Sequence, residues 1–152
     1  IKKVLYNEKI RYSVLPIEFD EYYKICVYPY DSIKCNNNYR RYFFKEDDAF
    51  SKVFGNDFHP SDFMYLPKFK GYQPMVLCNA DSDIESYDLV IVSGNKIISS
   101  LEIGIMGGES ITQFNISEDY TISLYKRKNT TEKKVLYKFY IVDNKGAIVD
   151  KK

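Results

Sequence analysis

Residues 87–149 read YDLVIVSGNKIISSLEIGIMGGESITQFNISEDYTISLYKRKNTTEKKVLYKFYIVDNKGAIV, and this stretch decides the fold class. Tyr87 to Ser93 is a largely apolar run that stops at Gly94-Asn95. Ile97 to Ile105 follows, with Ile97, Leu101, Ile103 and Ile105 on one face and Ser100 and Glu102 on the other. Gly107-Gly108 makes the next break, where a tight hairpin tolerates positive φ. Ile111 to Ile116 reads as a shorter strand. Past Ser117-Glu118-Asp119, Tyr120, Ile122 and Leu124 alternate with Thr121, Ser123 and Tyr125. The loop Lys128 to Glu132 leads to Val135, Tyr137, Phe139 and Ile141, again at period two. Asp143-Asn144-Lys145-Gly146 then turns the chain into Ala147 to Val149. Six strands with short turns predict a mainly β protein, an antiparallel meander of sandwich or barrel-like form.

Upstream the pattern is less regular. Arg11 to Phe19, Tyr22 to Tyr28 and Tyr39 to Phe44 read as strands, Pro16 marking an edge or bulge in the first. Met64 to Phe69 and Gln73 to Cys78 read as two more. One short helix is expected over Lys45 to Phe54: Glu46, Asp47 and Asp48 suit its N-terminal end, and Gly55 suits its C-terminal cap. Phe50, Val53 and Phe54 fall at i, i+3 and i+4. No linker or repeat divides residues 1–152, which predicts a single domain.

Composition excludes more than it assigns. The chain has 22 basic and 21 acidic residues, and its basic pairs and triplets are interspersed with acids. Phosphate-binding surfaces need a concentrated basic face, so nucleic acid is not expected as a partner. No apolar run reaches the roughly 18 residues of a membrane-spanning helix. The chain starts at Ile1, which fits either a mature form with a signal segment removed or an arbitrary boundary. Cys26, Cys35 and Cys78 are odd in number and lack zinc spacing. The residues leave open whether Cys26 pairs with Cys35.

Motifs of catalysis and cofactor binding are not met. His59 is the only histidine, so no multi-histidine metal site can form. Asp57, His59 and Asp62 lie close in DFHPSD, yet such a set arises readily in a loop. Asp81, Asp83 and Glu85 alternate like the opening of a calcium loop, but the positions requiring Gly and Glu are Ser86 and Val92. Gly104, Gly107 and Gly108 precede a strand rather than the helix of a phosphate loop. Ser93 and Ser110 lack a nucleophile elbow. Asn115-Ile116-Ser117 and Asn129-Thr130-Thr131 match a glycosylation pattern that carries no meaning in a bacterial protein. No cofactor and no metal ligand is assigned.

The aromatic residues carry the functional expectation. There are 15 Tyr and 10 Phe, and no Trp, a bias that favours strands. Tyrosines crowd the first half, and consecutive aromatics on a strand must point to opposite faces. An exposed Tyr, apolar in body and polar at its tip, suits protein or glycan recognition. Tyr22, Tyr23, Tyr39, Tyr42, Tyr65 and Tyr72 are the ligand-binding candidates.

Residues from about 95 to 150, NKIISSLEIGIMGGESITQFNISEDYTISLYKR and KKVLYKFYIVDNKGAIVDKK, carry a Gly-rich turn, a Phe-containing strand, Asp-Tyr-Thr-Ile and an Asn-x-Gly hairpin. This resembles the C-terminal part of small secreted or lipid-anchored proteins of unknown function from Gram-negative, gut-type bacteria. The resemblance implies an exported, cell-envelope or extracellular location, with a lipid anchor upstream as one form of it, and transfers no catalytic residue. The expected function is a non-catalytic binding module for a protein or glycan at the cell surface. Two alternatives stand beside it: a hydrolase whose carboxylates converge only in the fold, and a structural or assembly component.

Overall fold

A computed structural model describes residues 10–44, 53–54, 58–81, 83–107, 111–129 and 132–151. In chain order the elements are β1 (Ile17–Glu18), α1 (Phe19–Cys26), α2 (Ser32–Asn38), β2 (Tyr42–Phe43), β3 (Asp62–Tyr65), β4 (Gln73–Asp81), β5 (Ile84–Ser93), β6 (Lys96–Met106), β7 (Ile111–Ile116), β8 (Thr121–Arg127), β9 (Val135–Val142) and β10 (Ile148–Asp150). The strands run β10-β9-β8-β7-β6-β5-β4-β3-β2 across one sheet, and β1 pairs with β7. Each of these pairings is antiparallel. The protein is therefore mainly β and an antiparallel meander, and all six strands expected over residues 87–149 are present.

The N-terminal part departs from expectation. Tyr22 to Tyr28 is not a strand: Phe19–Cys26 is helical. Phe19, Tyr22, Ile25 and Cys26 lie at i, i+3, i+6 and i+7, so they share one face, and all four are buried. Burial of that stripe overrides the strand preference of Tyr and Ile. Of the strand expected over Arg11 to Phe19, only Ile17–Glu18 pairs in a ladder. Cys35, expected in a polar loop, sits in a second helix, α2, whose N-cap Asp31 accepts the Lys34 amide. The helix expected over Lys45 to Phe54 lies outside the described residues except for Val53 and Phe54, which are helical.

The meander folds over on itself. β6 and β7 are joined at a single register pair, Ile105 with Thr112, and at the far end of β7 Asn115 and Ile116 pair with β1. Val76, Leu89, Ile91 and Ile103 from one side and Phe114, Ile116, Ile122, Leu124 and Val142 from the other meet in one core, sealed by α1. At its centre Phe19 packs edge-on against both Tyr87 and Phe114, at 5.3 Å in each case. A second core lies on the opposite face of β3, β4 and β5, where Phe63, Met75, Leu77, Val90 and Val92 pack with Phe54. Both faces of this half-sheet are thus covered, which explains the continuous apolar runs in β3 and β4. Gly107 closes the turn after β6 at φ +108°, where a Cβ would lie 2.5 Å from the Asp83 carbonyl.

Candidate functional site

Cys26 ends α1 and Cys35 lies within α2, and the two form a disulfide with Cα atoms 5.1 Å apart. Both are buried. The bond closes a ring whose intervening residues turn outward: Tyr28 is 75% exposed, Tyr30 50% and Ile33 72%. The ring is anchored at its base, because the Val27 and Tyr28 amides donate to the Tyr23 carbonyl and the Asp31 amide donates to that of Ile25. Tyr30 holds a positive φ of 78°. Large apolar side chains are here held in water by a covalently closed frame.

Tyr30 of the ring interacts with Arg41, which belongs to a polar cluster. Asp62 stands opposite Cys78, which stands opposite Tyr87, so the three share the core-facing side of β3, β4 and β5. Arg41 reaches Asp62 at 3.8 Å and also bonds the Tyr22 side chain. The Tyr87 hydroxyl donates to Glu85 at 2.9 Å. Burial pushes the Asp62 carboxyl up to about 6, with Arg41 pulling it down and Glu85 adding to the rise. Burial opposes the charge on Arg41, but Tyr22, Asp62 and the exposed Tyr30 more than offset it, so the guanidinium stays charged. Burial pushes the Cys78 thiol up to about 12. A thiol so placed is a poor nucleophile. The chemistry on offer is the Arg41 guanidinium, held by the buried Asp62 and interacting with the exposed Tyr30.

The six tyrosines selected from sequence do not share one surface. Tyr22, Tyr39 and Tyr65 are buried, the first two stacked edge-on in the main core at 5.6 Å. Tyr23, Tyr42 and Tyr72 are half-buried. Tyr42 lies over Phe63, and its hydroxyl accepts the Arg11 amide. The exposed neighbours Tyr28 and Tyr30 were part of the same aromatic crowd. Their signal was the Cys-x8-Cys frame around them, which two cysteines can carry only if they pair. His59 makes an edge contact with Phe44. Asp57 lies outside the described residues. Among the described residues no three His, Cys, Asp or Glu side chains are grouped to hold a metal ion, and no helix is long and apolar enough to cross a membrane.

No protein-family model, curated protein or solved structure matches the chain.

Proposed function

We propose that the chain is an exported cell-envelope protein that binds a protein or glycan through the ring between Cys26 and Cys35. The observation that carries this reading is the exposure of Tyr28, Tyr30 and Ile33 on a disulfide-closed frame. Exposed apolar side chains in contact with water favour burial against a partner. A frame closed beforehand loses little freedom on binding. Tyr presents a broad ring at a small entropic cost, and it both stacks and hydrogen-bonds. Arg41, which interacts with Tyr30 and is paired with the buried Asp62, supplies a charged donor for a sugar hydroxyl or peptide carbonyl. Disulfides persist in oxidising compartments, which supports export, as does the resemblance of residues 95–150 to secreted and lipid-anchored proteins.

Two measurements test the two halves of the proposal. Protein taken from its native cells, trapped with acid and alkylated after denaturation, should carry one adduct, on Cys78. Three adducts would place it in a reducing compartment. On glycan and peptide arrays, Tyr28→Ser/Tyr30→Ser should lose most of the wild-type signal.

A hydrolase remains a second reading, because Glu85 accepts a hydrogen bond from the Tyr87 hydroxyl and adds to the rise that burial gives the Asp62 carboxyl, to about 6. It predicts cleavage of an arrayed probe that Asp62→Asn abolishes.

A further inference from the structure

The outer edge of the meander carries a feature that the ring proposal does not use. β9 is eight residues long, but β10 pairs only with Tyr140, Ile141 and Val142, and the Lys151 amide adds one bond to the Phe139 carbonyl. Among the described residues, no strand pairs with Val135–Lys138 on the side away from β8. At this open stretch Val135 is 64% exposed, Leu136 40%, Tyr137 44% and Phe139 39%. Natural sheet edges are commonly blunted by lysines lying over them. Here the lysines are drawn back onto rings: Lys126 lies 4.5 Å from the Tyr137 centroid, Lys134 4.8 Å from Tyr125, and Lys138 5.3 Å from Tyr140. Among the described residues no strand covers this main chain; Tyr137 bulges out of register against β8, which brings the exposed Leu136 and Phe139 to one face.

Charge says what would cover them. Residues 126–138 hold six basic side chains and one acid, a net +5 in a chain of net +1. The remainder of the protein carries −4. Asp20 pairs with Arg127 and Lys134, and Asp150 with Lys138, but these acids are themselves half exposed. A second copy of the chain would set lysines against lysines, which is repulsive. A bilayer would leave the unpaired amides and carbonyls without partners in an apolar medium, at considerable cost.

From these observations we infer that the Val135–Phe139 edge of β9 accepts an extended acidic peptide as an added strand, with alternate apolar residues of the peptide lying on Leu136 and Phe139. Main-chain bonds would supply affinity and the flanking lysines selectivity.

The test uses the whole chain and a fluorescent, end-blocked octapeptide alternating Glu with Val, followed by anisotropy. Saturable binding is expected. It should weaken about tenfold or more when the peptide's alternate amides are N-methylated, since the added ladder is lost. A Lys-Val version should not bind, and hydrogen exchange at 135–138 should slow on addition of the acidic peptide. Leu136→Ser/Phe139→Ser, which removes the apolar contacts without changing the charge, should weaken binding comparably; the N-methyl comparison stands on the wild-type protein if that variant fails to fold. Equal binding of the N-methylated peptide, absence of binding, or preference for phosphatidylserine vesicles over the peptide would overturn the inference. So would a dimer that buries this edge.

Discussion

Asp62 is the residue whose environment has the clearest thermodynamic consequence. Its carboxyl, ordinarily near 3.8, is held at about 6 by burial, with Arg41, Glu85, Tyr22 and Cys78 as its charged or titratable neighbours. The folded state therefore binds the proton more tightly than the unfolded chain, so this group's contribution falls as pH rises from about 4 through 6. Two pKa units correspond to at most about 3 kcal/mol. Asp62→Asn resembles the protonated side chain. It should match the wild type near pH 4 and exceed it by up to about 3 kcal/mol near pH 7.5, as read by urea unfolding at both pH values. Equal pH dependence in the two proteins would show that Asp62 is not desolvated. At Phe114, fully buried at the meeting of the two half-sheets, replacement by Ala should cost about 3–5 kcal/mol. A loss below about 1 kcal/mol would mean that the halves do not pack there. Gly107→Ala should also destabilise markedly, because both its φ and the Asp83 carbonyl exclude a methyl group.

Among the elements, α1 and α2 with their disulfide frame the proposed binding surface and were the least legible from sequence. The strands after Tyr87 are legible because apolar runs or period-two alternation mark them and short polar or Gly-containing turns separate them. The helices lacked such marks. Tyr22, Tyr23, Ile25 and Val27 favour strands, and α2 reads SIKCNNN, with three Asn residues of poor helix propensity. What holds α2 is its Asp31 cap and the link to α1, a long-range constraint that local pattern does not report. The aromatic richness of the first half was visible, but core and surface tyrosines look alike in sequence. Tyr22, Tyr39 and Tyr65 went inside, while Tyr28 and Tyr30 stayed out. The Cys26–Cys35 bond closes a loop of about ten residues, worth roughly 2.5 kcal/mol in the chain-entropy account. Cys26→Ala/Cys35→Ala should lower the urea midpoint accordingly, and reductant should then have no further effect on the variant. An unchanged midpoint would show that the helices hold without the link.

At the scale of the whole molecule, two cores lie on opposite faces of β3–β5 under a folded-over meander. The two surface features lie on different elements. The aromatic ring belongs to the N-terminal helices and the basic edge to β9; Asp20 of α1 pairs with Arg127 and Lys134, but Tyr28 and Tyr30 take no part in those pairs, so substituting these two tyrosines should leave binding at Val135–Phe139 unchanged. The central claim is that the protein acts by binding through the ring. Its most direct test is a combined glycan and peptide array probed with the wild type and with Tyr28→Ser/Tyr30→Ser, both checked for unaltered thermal unfolding. The account predicts specific wild-type signals that the substituted protein loses at least tenfold, with the probes left intact. Signals retained in full by the substituted protein, or cleavage of the bound probes, would contradict it.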